Sequence, residues 1–254
     1  PRLPSAMKRR VRLPLLHLGV SAVLVGLALA LILLLWYPAP LGHLDGIHFV
    51  VLLIIGVDLC LGPLLTLVVS SEHKRGAVLA RDLAVIAALQ LGALTYGLVT
   101  AYVARPAYLV FNADRFDTVA INELARTTDE ARPAIDARLT GPQWVQALPP
   151  GNIELRNQLL FSAVRGGPDL KHYPELYRPW PSDVFAVRPR LRGLEELRLD
   201  AGQKAVLDEA LAVRQLAPHQ VAYVPLKGRE RNGLVLLDRT DLRYLATLDL
   251  PPNY

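Results

Sequence analysis

The chain has 254 residues, 52% of them hydrophobic, and its 28 lysines and arginines exceed its 23 aspartates and glutamates. The excess lies in the first 104 residues, which hold 8 Lys and Arg against 4 Asp and Glu, whereas the rest is nearly balanced at 20 against 19. Positive charge that flanks apolar stretches is typical of a membrane protein. With no helix-turn-helix, zinc or RNA-binding motif, this distribution excludes a nucleic-acid partner.

Three apolar stretches predict three transmembrane helices, at about residues 15–37, 47–69 and 83–103. Each is long enough to cross a hydrocarbon layer of about 30 Å at about 1.5 Å per residue. The first stretch is longer than the core of a cleaved signal peptide, and it ends in Trp36-Tyr37-Pro38 instead of a small-residue cleavage site. We therefore expect a basic cytoplasmic tail over residues 1–14 and a membrane-embedded domain over residues 15–104.

The distribution of cations around the three stretches predicts their orientation. Cationic residues precede the first stretch and occupy the loop before the third, whereas residues 38–46 contain neither lysine nor arginine. The cations concerned are Lys8, Arg9, Arg10 and Arg12, and then Lys74, Arg75 and Arg81. Because cationic loops stay in the cytoplasm, we expect the N-terminus inside and the C-terminal half exported.

A carboxylate at the centre of the second stretch is the most informative feature of these helices. Asp58 at this depth costs about 2.5–3.5 kcal/mol on insertion scales, so it needs a partner or a function. At about 1.5 Å per residue, Asp58 and Gln90 lie at depths that differ by about 3 Å, within reach of a hydrogen bond. Two interpretations remain open: a structural residue that is protonated or paired with an amide, or a docking or proton-handling group.

Small and polar residues form a stripe along each predicted helix. Membrane helices associate where small residues let their backbones approach. The stripes are Ala22, Gly26 and Ala30, then Asp58, Gly62 and Thr66, and finally Gln90, Ala93, Gly97 and Ala101. Pro63 is expected to kink the second helix. We predict a compact bundle or a bundle with a groove for a fourth helix, with Gly26, Asp58, Gly62, Pro63, Thr66, Gln90 and Gly97 as candidate partner-binding residues.

The sequence gives little reason to expect a metal or another cofactor. His43, Asp45 and His48 form a short polar group at the predicted outer surface, but nothing fixes four ligands in tetrahedral spacing. Cys60 is the single cysteine and lies within the second stretch. The exported half is therefore expected to fold without disulfides.

The remaining residues, 105–254, have the composition and length of a globular domain. Alternating and β-branched segments predict strands at Tyr108–Phe111, Phe116–Ile121, Val221–Leu226, Leu234–Leu237 and Tyr244–Leu250. Helices are predicted at Ile153–Val164 and Gly202–Leu216, and an irregular loop at Pro168–Pro189. The fold class is thus a three-helix membrane bundle followed by an exported α+β domain.

No catalytic motif is present in the sequence of this domain. It has no thiol, and His172 and His219 stand apart from residues that would activate them. The absence favours a protein without enzymatic activity. Two alternatives stay open: a membrane-anchored enzyme, marked by a perturbed acid/base pair, and a small proton- or solute-handling subunit that uses Asp58.

Several blocks of the chain resemble one family of bacterial proteins. The blocks are Leu35-Trp36-Tyr37-Pro38-Ala39-Pro40-Leu41, Gly56-Val57-Asp58, Gly62-Pro63-Leu64-Leu65-Thr66, Asp82-Leu83-Ala84-Val85-Ile86, Gln90-Leu91, Tyr96-Gly97 and Arg105-Pro106-Ala107-Tyr108-Leu109-Val110-Phe111. Together they resemble the TfpX/TfpZ family of type IV pilin accessory proteins, over the membrane half and the first exported strand.

This resemblance implies a multi-pass protein of the bacterial inner membrane with a periplasmic C-terminal domain. Proteins of that family assist a cognate type IV major pilin before it is assembled. Such a pilin waits in the membrane as one hydrophobic stem helix with a globular head outside. The resemblance therefore implies a bundle that serves the stem and an exported domain that serves the head.

Overall fold

A computed structural model describes residues 5–70 and 76–251. The chain forms two compact units. One unit is built from the residues up to Leu35 together with Ile47–Val103 and is called the bundle below. The other combines Trp36–Gly46 with the residues from Ala104 onward and is called the sheet unit.

The α-helices of the described residues follow in chain order. They are α1 (Ser5–Ala30), α2 (Leu41–Asp45), α3 (His48–Ile55), α4 (Gly62–Val69), α5 (Ala77–Val103), α6 (Ile153–Val164), α7 (Val184–Val187) and α8 (Ala201–Val213). A π-helical turn over Leu31–Trp36 extends α1, and another over Gly56–Leu61 joins α3 to α4.

Three helical segments of the bundle are long and apolar enough to cross a membrane. They are Arg12–Trp36, His48–Val69 and Ala77–Val103, called the first, second and third spans. Their positions confirm the predicted apolar helices. The first and third spans each pack mainly against the second, which lies between them.

The second span changes its winding just before Pro63. Proline has no N–H to donate, and its ring collides with the carbonyl four residues earlier in a regular α-helix. Here the backbone N–H of Gly62 donates to the carbonyl of Val57, five residues back, so the turn is π-helical. A widened turn of this kind is frequent at functional sites, and it carries Asp58.

A mixed sheet forms the centre of the sheet unit. Its strands are β1 (Pro106–Asn112), β2 (Arg115–Ala120), β3 (Gln143–Ala147), β4 (Tyr177–Pro179), β5 (Arg192–Gly193), β6 (Val221–Lys227), β7 (Asn232–Asp238) and β8 (Tyr244–Leu248). Their spatial order is β4-β3-β1-β2-β6-β7-β8, and β5 also pairs with β6. β1 and β2 form an antiparallel hairpin, whereas β3 runs parallel to β1 and β6 runs parallel to β2.

The first loop between spans is part of the sheet unit. Leu41 and Leu44 of α2 are buried in the same apolar cluster as Leu109 and Phe116 of the central hairpin. The carbonyl of Leu44 accepts the backbone N–H groups of Glu230 and Arg231, at 2.9 and 3.0 Å. The sheet unit is therefore assembled from two separate parts of the sequence.

The α+β prediction for residues 105–254 is confirmed, with differences in detail. Helix α6 has the predicted bounds, while α8 ends at Val213 because Gln215 adopts a positive φ of 53°. The sequence did not predict β3 or its neighbour β4. The proline-rich segment is less irregular than predicted, since it contributes β4 and α7 and buries Tyr177.

Candidate functional site

Asp58 lies inside the bundle, in the π-helical turn of the second span. Its side chain is only 5% exposed. The Nε2 group of Gln90 reaches it from the third span, 3.3 Å from the carbonyl oxygen and 3.4 Å from Oδ1 of Asp58. The structure thus brings together the two polar residues whose depths the sequence had matched.

The two side chains are only partly satisfied by each other. Among the described residues, Asp58 Oδ2 and Gln90 Oε1 are buried and have no hydrogen-bond partner. Gln90 Oε1 is an acceptor, as is Asp58 Oδ2 in the ionised carboxylate, and an unpaired buried acceptor costs about 1–3 kcal/mol. This site therefore lacks hydrogen-bond donors.

Gly62 and Thr66 complete the polar interior of the second span. The Gln90 side chain lies directly over Gly62, where a Cβ atom would come within 2.0 Å of Nε2. Thr66 is buried one turn further along, with Oγ1 2.6 Å from Nδ1 of His17 on the first span. A side chain at position 62 would therefore have to displace the end of the Gln90 side chain, and Pro63 follows Gly62 at the start of α4.

A cleft of about 150 Å³ separates the first and third spans, with Asp58 and Gln90 at its floor. His17 and Ser21 contribute polar groups from the first span. The remaining lining is apolar and consists of Val20, Leu24, Ala87, Leu91 and Leu94. The bundle is thus open between the first and third spans, and a groove for a fourth helix stays a prediction.

The two remaining candidate residues lie elsewhere. Gly97 is buried, and a Cβ there would come within 2.9 Å of Ile54 Cγ1, so it serves the packing of the second span against the third. Gly26 is exposed, and a Cβ there would meet nothing within 4 Å. Gly26 follows the cleft residue His17 by nine residues, which at about 100° per residue places it on the opposite side of the helix.

His17 and Ser21 were not among the predicted site residues. Both interrupt an otherwise apolar stretch, and polar residues in membrane helices usually face the bundle interior. Their four-residue spacing continues to Val25, which is also buried. This spacing was the signal that could have identified the buried face of the first span. The prediction instead followed the small residues Ala22, Gly26 and Ala30, which lie on the other side of the helix.

The sheet unit contains a second buried carboxylate, Asp45. Its Oδ1 accepts the Thr118 hydroxyl at 2.7 Å and the Arg229 backbone N–H at 3.0 Å. Burial raises the pKa of Asp45 above its ordinary value, although these hydrogen bonds and the Arg229 charge oppose the shift. These contacts attach the first loop to β2 and to the β6–β7 turn.

His172, one of the two isolated histidines within residues 105–254, has a structural contact. His172 Nδ1 accepts the backbone N–H of Asp169 at 2.9 Å, and burial together with nearby Lys171 lowers its pKa. Within residues 5–70 and 76–251, no group of three or more His, Cys, Asp or Glu side chains is placed to hold a metal ion.

Comparison with known proteins points to one process. The family model described as Fimbrial assembly protein FimB matches residues 5–46. The fimbrial assembly protein of serogroup I from Dichelobacter nodosus is 31% identical over 236 residues, covering 89% of this chain and 88% of that protein. The serogroup E1 protein of the same organism is 30% identical over 235 residues, covering 88% of this chain and 89% of that protein.

A third relative matches a shorter region. The fimbrial assembly protein of serogroups C1 and C2 from Dichelobacter nodosus is 41% identical over 100 residues, or 39% of this chain and 73% of that protein. No solved structure shows significant similarity. None of the matching names denotes an enzyme. The broader expectation of a pilus assembly protein is supported, and the TfpX/TfpZ assignment stays a prediction.

Proposed function

The chain belongs to the family of fimbrial assembly proteins, and from that premise we propose that it holds a cognate type IV major pilin in the bacterial inner membrane before assembly. The pilin stem helix docks in the cleft between the first and third spans. The observation that carries the proposal is this cleft, which opens between two spans that both pack on a third and has unpaired acceptors at its floor.

A cleft in a membrane bundle suits a helix better than it suits a free substrate. Its walls are mainly leucine and valine, which offer dispersion contacts to a neighbouring helix but no specificity against lipid. Its polar floor adds a contact that lipid tails cannot supply. A single-pass stem helix supplies both kinds of contact.

The proposed topology places the N-terminus in the cytoplasm and the sheet unit in the periplasm, on the side of the pilin head. The assembly of the sheet unit from two parts of the sequence supports this arrangement. The unit combines Trp36–Gly46 with the residues from Ala104 onward, so both parts lie on the same side of the membrane. The second and third spans, which connect the two parts, therefore cross the membrane and return. Fusion of alkaline phosphatase after Tyr254 should be active. A stable but inactive fusion would contradict the proposed topology.

Helix α6 carries an exposed apolar face. Ile153, Phe161 and Val164 are 70%, 63% and 85% exposed and lie on one side of this helix. We assign this face to contact with the pilin head, since large apolar side chains exposed together mark interaction surfaces. A cysteine at position 161 provides a probe of this contact.

Crosslinking tests where the stem helix binds. In a Cys60→Ala background, Val20→Cys and Leu91→Cys place probes on the two walls of the cleft, while Leu53→Cys is a lipid-facing control on the second span. Single cysteines along the pilin stem should crosslink to positions 20 and 91 and not to position 53. Crosslinks at Gly26→Cys alone would place the stem on the outward face of the first span, and crosslinks at Phe161→Cys alone would restrict recognition to the head.

A further inference from the structure

We propose that the floor of the cleft receives a hydrogen-bond-donating side chain from a second transmembrane helix. The inference deepens the proposed function and rests on it only for the identity of that helix as the pilin stem. Its chemistry follows from Asp58 and Gln90, which are 5% and 8% exposed and have one unpaired acceptor each, Oδ2 and Oε1.

The missing groups are donors. Gln90 already directs its Nε2 group at the carbonyl and Oδ1 oxygens of Asp58. His17 Nδ1 lies 2.6 Å from Thr66 Oγ1 on the same side of the bundle. A hydroxyl, an amide or an ammonium group therefore complements this floor, whereas a carboxylate or an apolar side chain does not.

The size of the cleft favours one side chain over a larger ligand. Its volume is about 150 Å³, and a cavity of about that volume in another protein binds benzene. The polar floor is flanked by Val20, Leu24, Leu91 and Leu94. These side chains can pack against the apolar residues that precede and follow a single polar residue on a membrane helix. A few water molecules are the competing occupant.

Two synthetic helices serve as probes. They are leucine- and alanine-rich transmembrane peptides of equal length that differ only at the centre, which carries asparagine in one and leucine in the other. The full chain is placed in vesicles of phosphatidylethanolamine and phosphatidylglycerol, and binding is measured by energy transfer at peptide dilutions that prevent peptide self-association. We expect the asparagine peptide to bind roughly 3- to 20-fold more tightly, the range that intramembrane hydrogen bonds produce.

Variants assign that preference to the floor of the cleft. The double substitution of Asp58→Leu with Gln90→Met removes every side-chain acceptor that these two residues supply and should reduce the preference to unity. Thr95→Leu is the matched control, because Thr95 is an exposed polar residue of the third span outside the cleft. It should keep the full preference. Helicity measured by circular dichroism shows whether each variant keeps its bundle.

Equal binding of the two peptides to the wild-type chain would overturn the inference and leave water as the occupant. This test uses only the wild-type chain, so it does not depend on whether any variant folds. A preference that survives the double substitution of Asp58→Leu with Gln90→Met would also overturn the inference.

Co-purification of the pilin separates the inference from the proposed function. Pilin that co-purifies equally with wild type and Asp58→Leu would refute the polar contact and leave the pilin-binding function standing. A wild-type chain that prefers the asparagine peptide but never retains pilin would refute the function and support the contact.

Discussion

The bundle and the sheet unit arrange the same kinds of side chain in opposite ways. In the sheet unit the fully buried residues are mainly apolar, such as Leu109, Phe116 and Leu236. In the spans the large apolar residues are mostly exposed, and Asp58, Thr66 and Gln90 lie inside. Water drives apolar side chains into a core, whereas lipid is as apolar as leucine and leaves packing and hydrogen bonds to hold the helices together.

The two interiors also differ in how their polar groups are satisfied. In the sheet unit, Gln146 Oε1 accepts the backbone N–H groups of Ser182 and Asp183 at 3.1 and 2.8 Å, and Asp117 binds Lys171 Nζ at 2.7 Å. In the bundle, Asp58 and Gln90 each keep one oxygen unpaired. Within the sheet unit, Gln146 Oε1 and Asp117 Oδ1 thus find donors, whereas Asp117 Oδ2 has no hydrogen-bond partner and only Arg115 Nε at 3.5 Å. For the floor of the cleft, the proposed source of donors is a partner from outside the bundle.

The largest expected effect on stability comes from truncating a leucine of the sheet unit, in comparison with a leucine of the bundle. Leu44 is fully buried in the sheet unit, so Leu44→Ala should lower the free energy of unfolding by about 4 kcal/mol. Leu53 is 59% exposed on the second span, and Leu53→Ala should change stability by less than about 0.5 kcal/mol.

Tryptophan fluorescence during urea unfolding of the full chain in micelles measures this comparison. All three tryptophans belong to the sheet unit, so the signal reports on that unit. Equal, small effects of the two substitutions would mean that the first loop is not part of the core.

A buried ion pair gives the next largest effect. Lys171→Met leaves the Asp117 carboxylate, which is fully buried, with only Arg115 Nε at 3.5 Å. Removing one partner of a buried pair is strongly destabilising, and we expect a loss of about 3 kcal/mol in the same assay. Lys204→Met, on the exposed side of α8, is the matched control and should be nearly silent. A silent Lys171→Met would show that Arg115 alone compensates the carboxylate.

Substitutions at two glycines of the predicted stripes, Gly97 and Gly26, should affect the bundle differently. Gly97→Leu forces a side chain against Ile54, and overpacking of this kind costs about 2 kcal/mol. Gly26→Leu extends into open space and should leave the bundle intact. Thermal loss of helicity, followed by circular dichroism, should fall to lower temperature for Gly97→Leu only. A lowered melting temperature for Gly26→Leu would reveal a neighbour on the outward face of the first span.

Sequence patterns predicted the parts of this protein that depend on local periodicity. The three spans, the β1–β2 hairpin, α6 and the β6–β7 hairpin each have a clear apolar period and a turn or cap signal, such as the Asn152 side chain that accepts the N–H groups of Glu154 and Leu155. The meeting of Asp58 with Gln90 was also accessible, because helical rise converts sequence position into depth.

The parts that sequence reasoning missed depend on long-range contacts. Nothing local in Leu41 or Leu44 indicates that an interspan loop joins a core formed by residues about 70 to 200 positions later. Strand β3 is short, and its Gln146 is buried only because Ser182 and Asp183 supply donors from a distant segment. The cleft likewise depends on how the first span rotates, which Ser21 and Val25 decide and the Gly26 stripe does not.

The smallest expected effect is a dependence of stability on pH that originates at Asp45. Burial raises its pKa in the folded protein above the ordinary value of 3.8, so the folded state binds the proton more tightly than the unfolded state. The stabilisation is therefore fully present below pH 3.8 and is lost as the pH rises through the raised value. Each unit of elevation corresponds to about 1.4 kcal/mol.

Asp45→Asn tests this assignment because it keeps an oxygen for the Thr118 hydroxyl and the Arg229 N–H while removing the ionisation. Wild type should lose stability relative to Asp45→Asn as the pH rises from 4 towards neutrality, in urea titrations of the full chain. Desolvation and Glu123 disfavour the charged carboxylate, whereas the two hydrogen bonds and the Arg229 charge favour it, so the sign of the difference reports which set of influences is larger. A wild-type chain that gains stability relative to Asp45→Asn over that range would show that the Arg229 charge and the two hydrogen bonds outweigh desolvation.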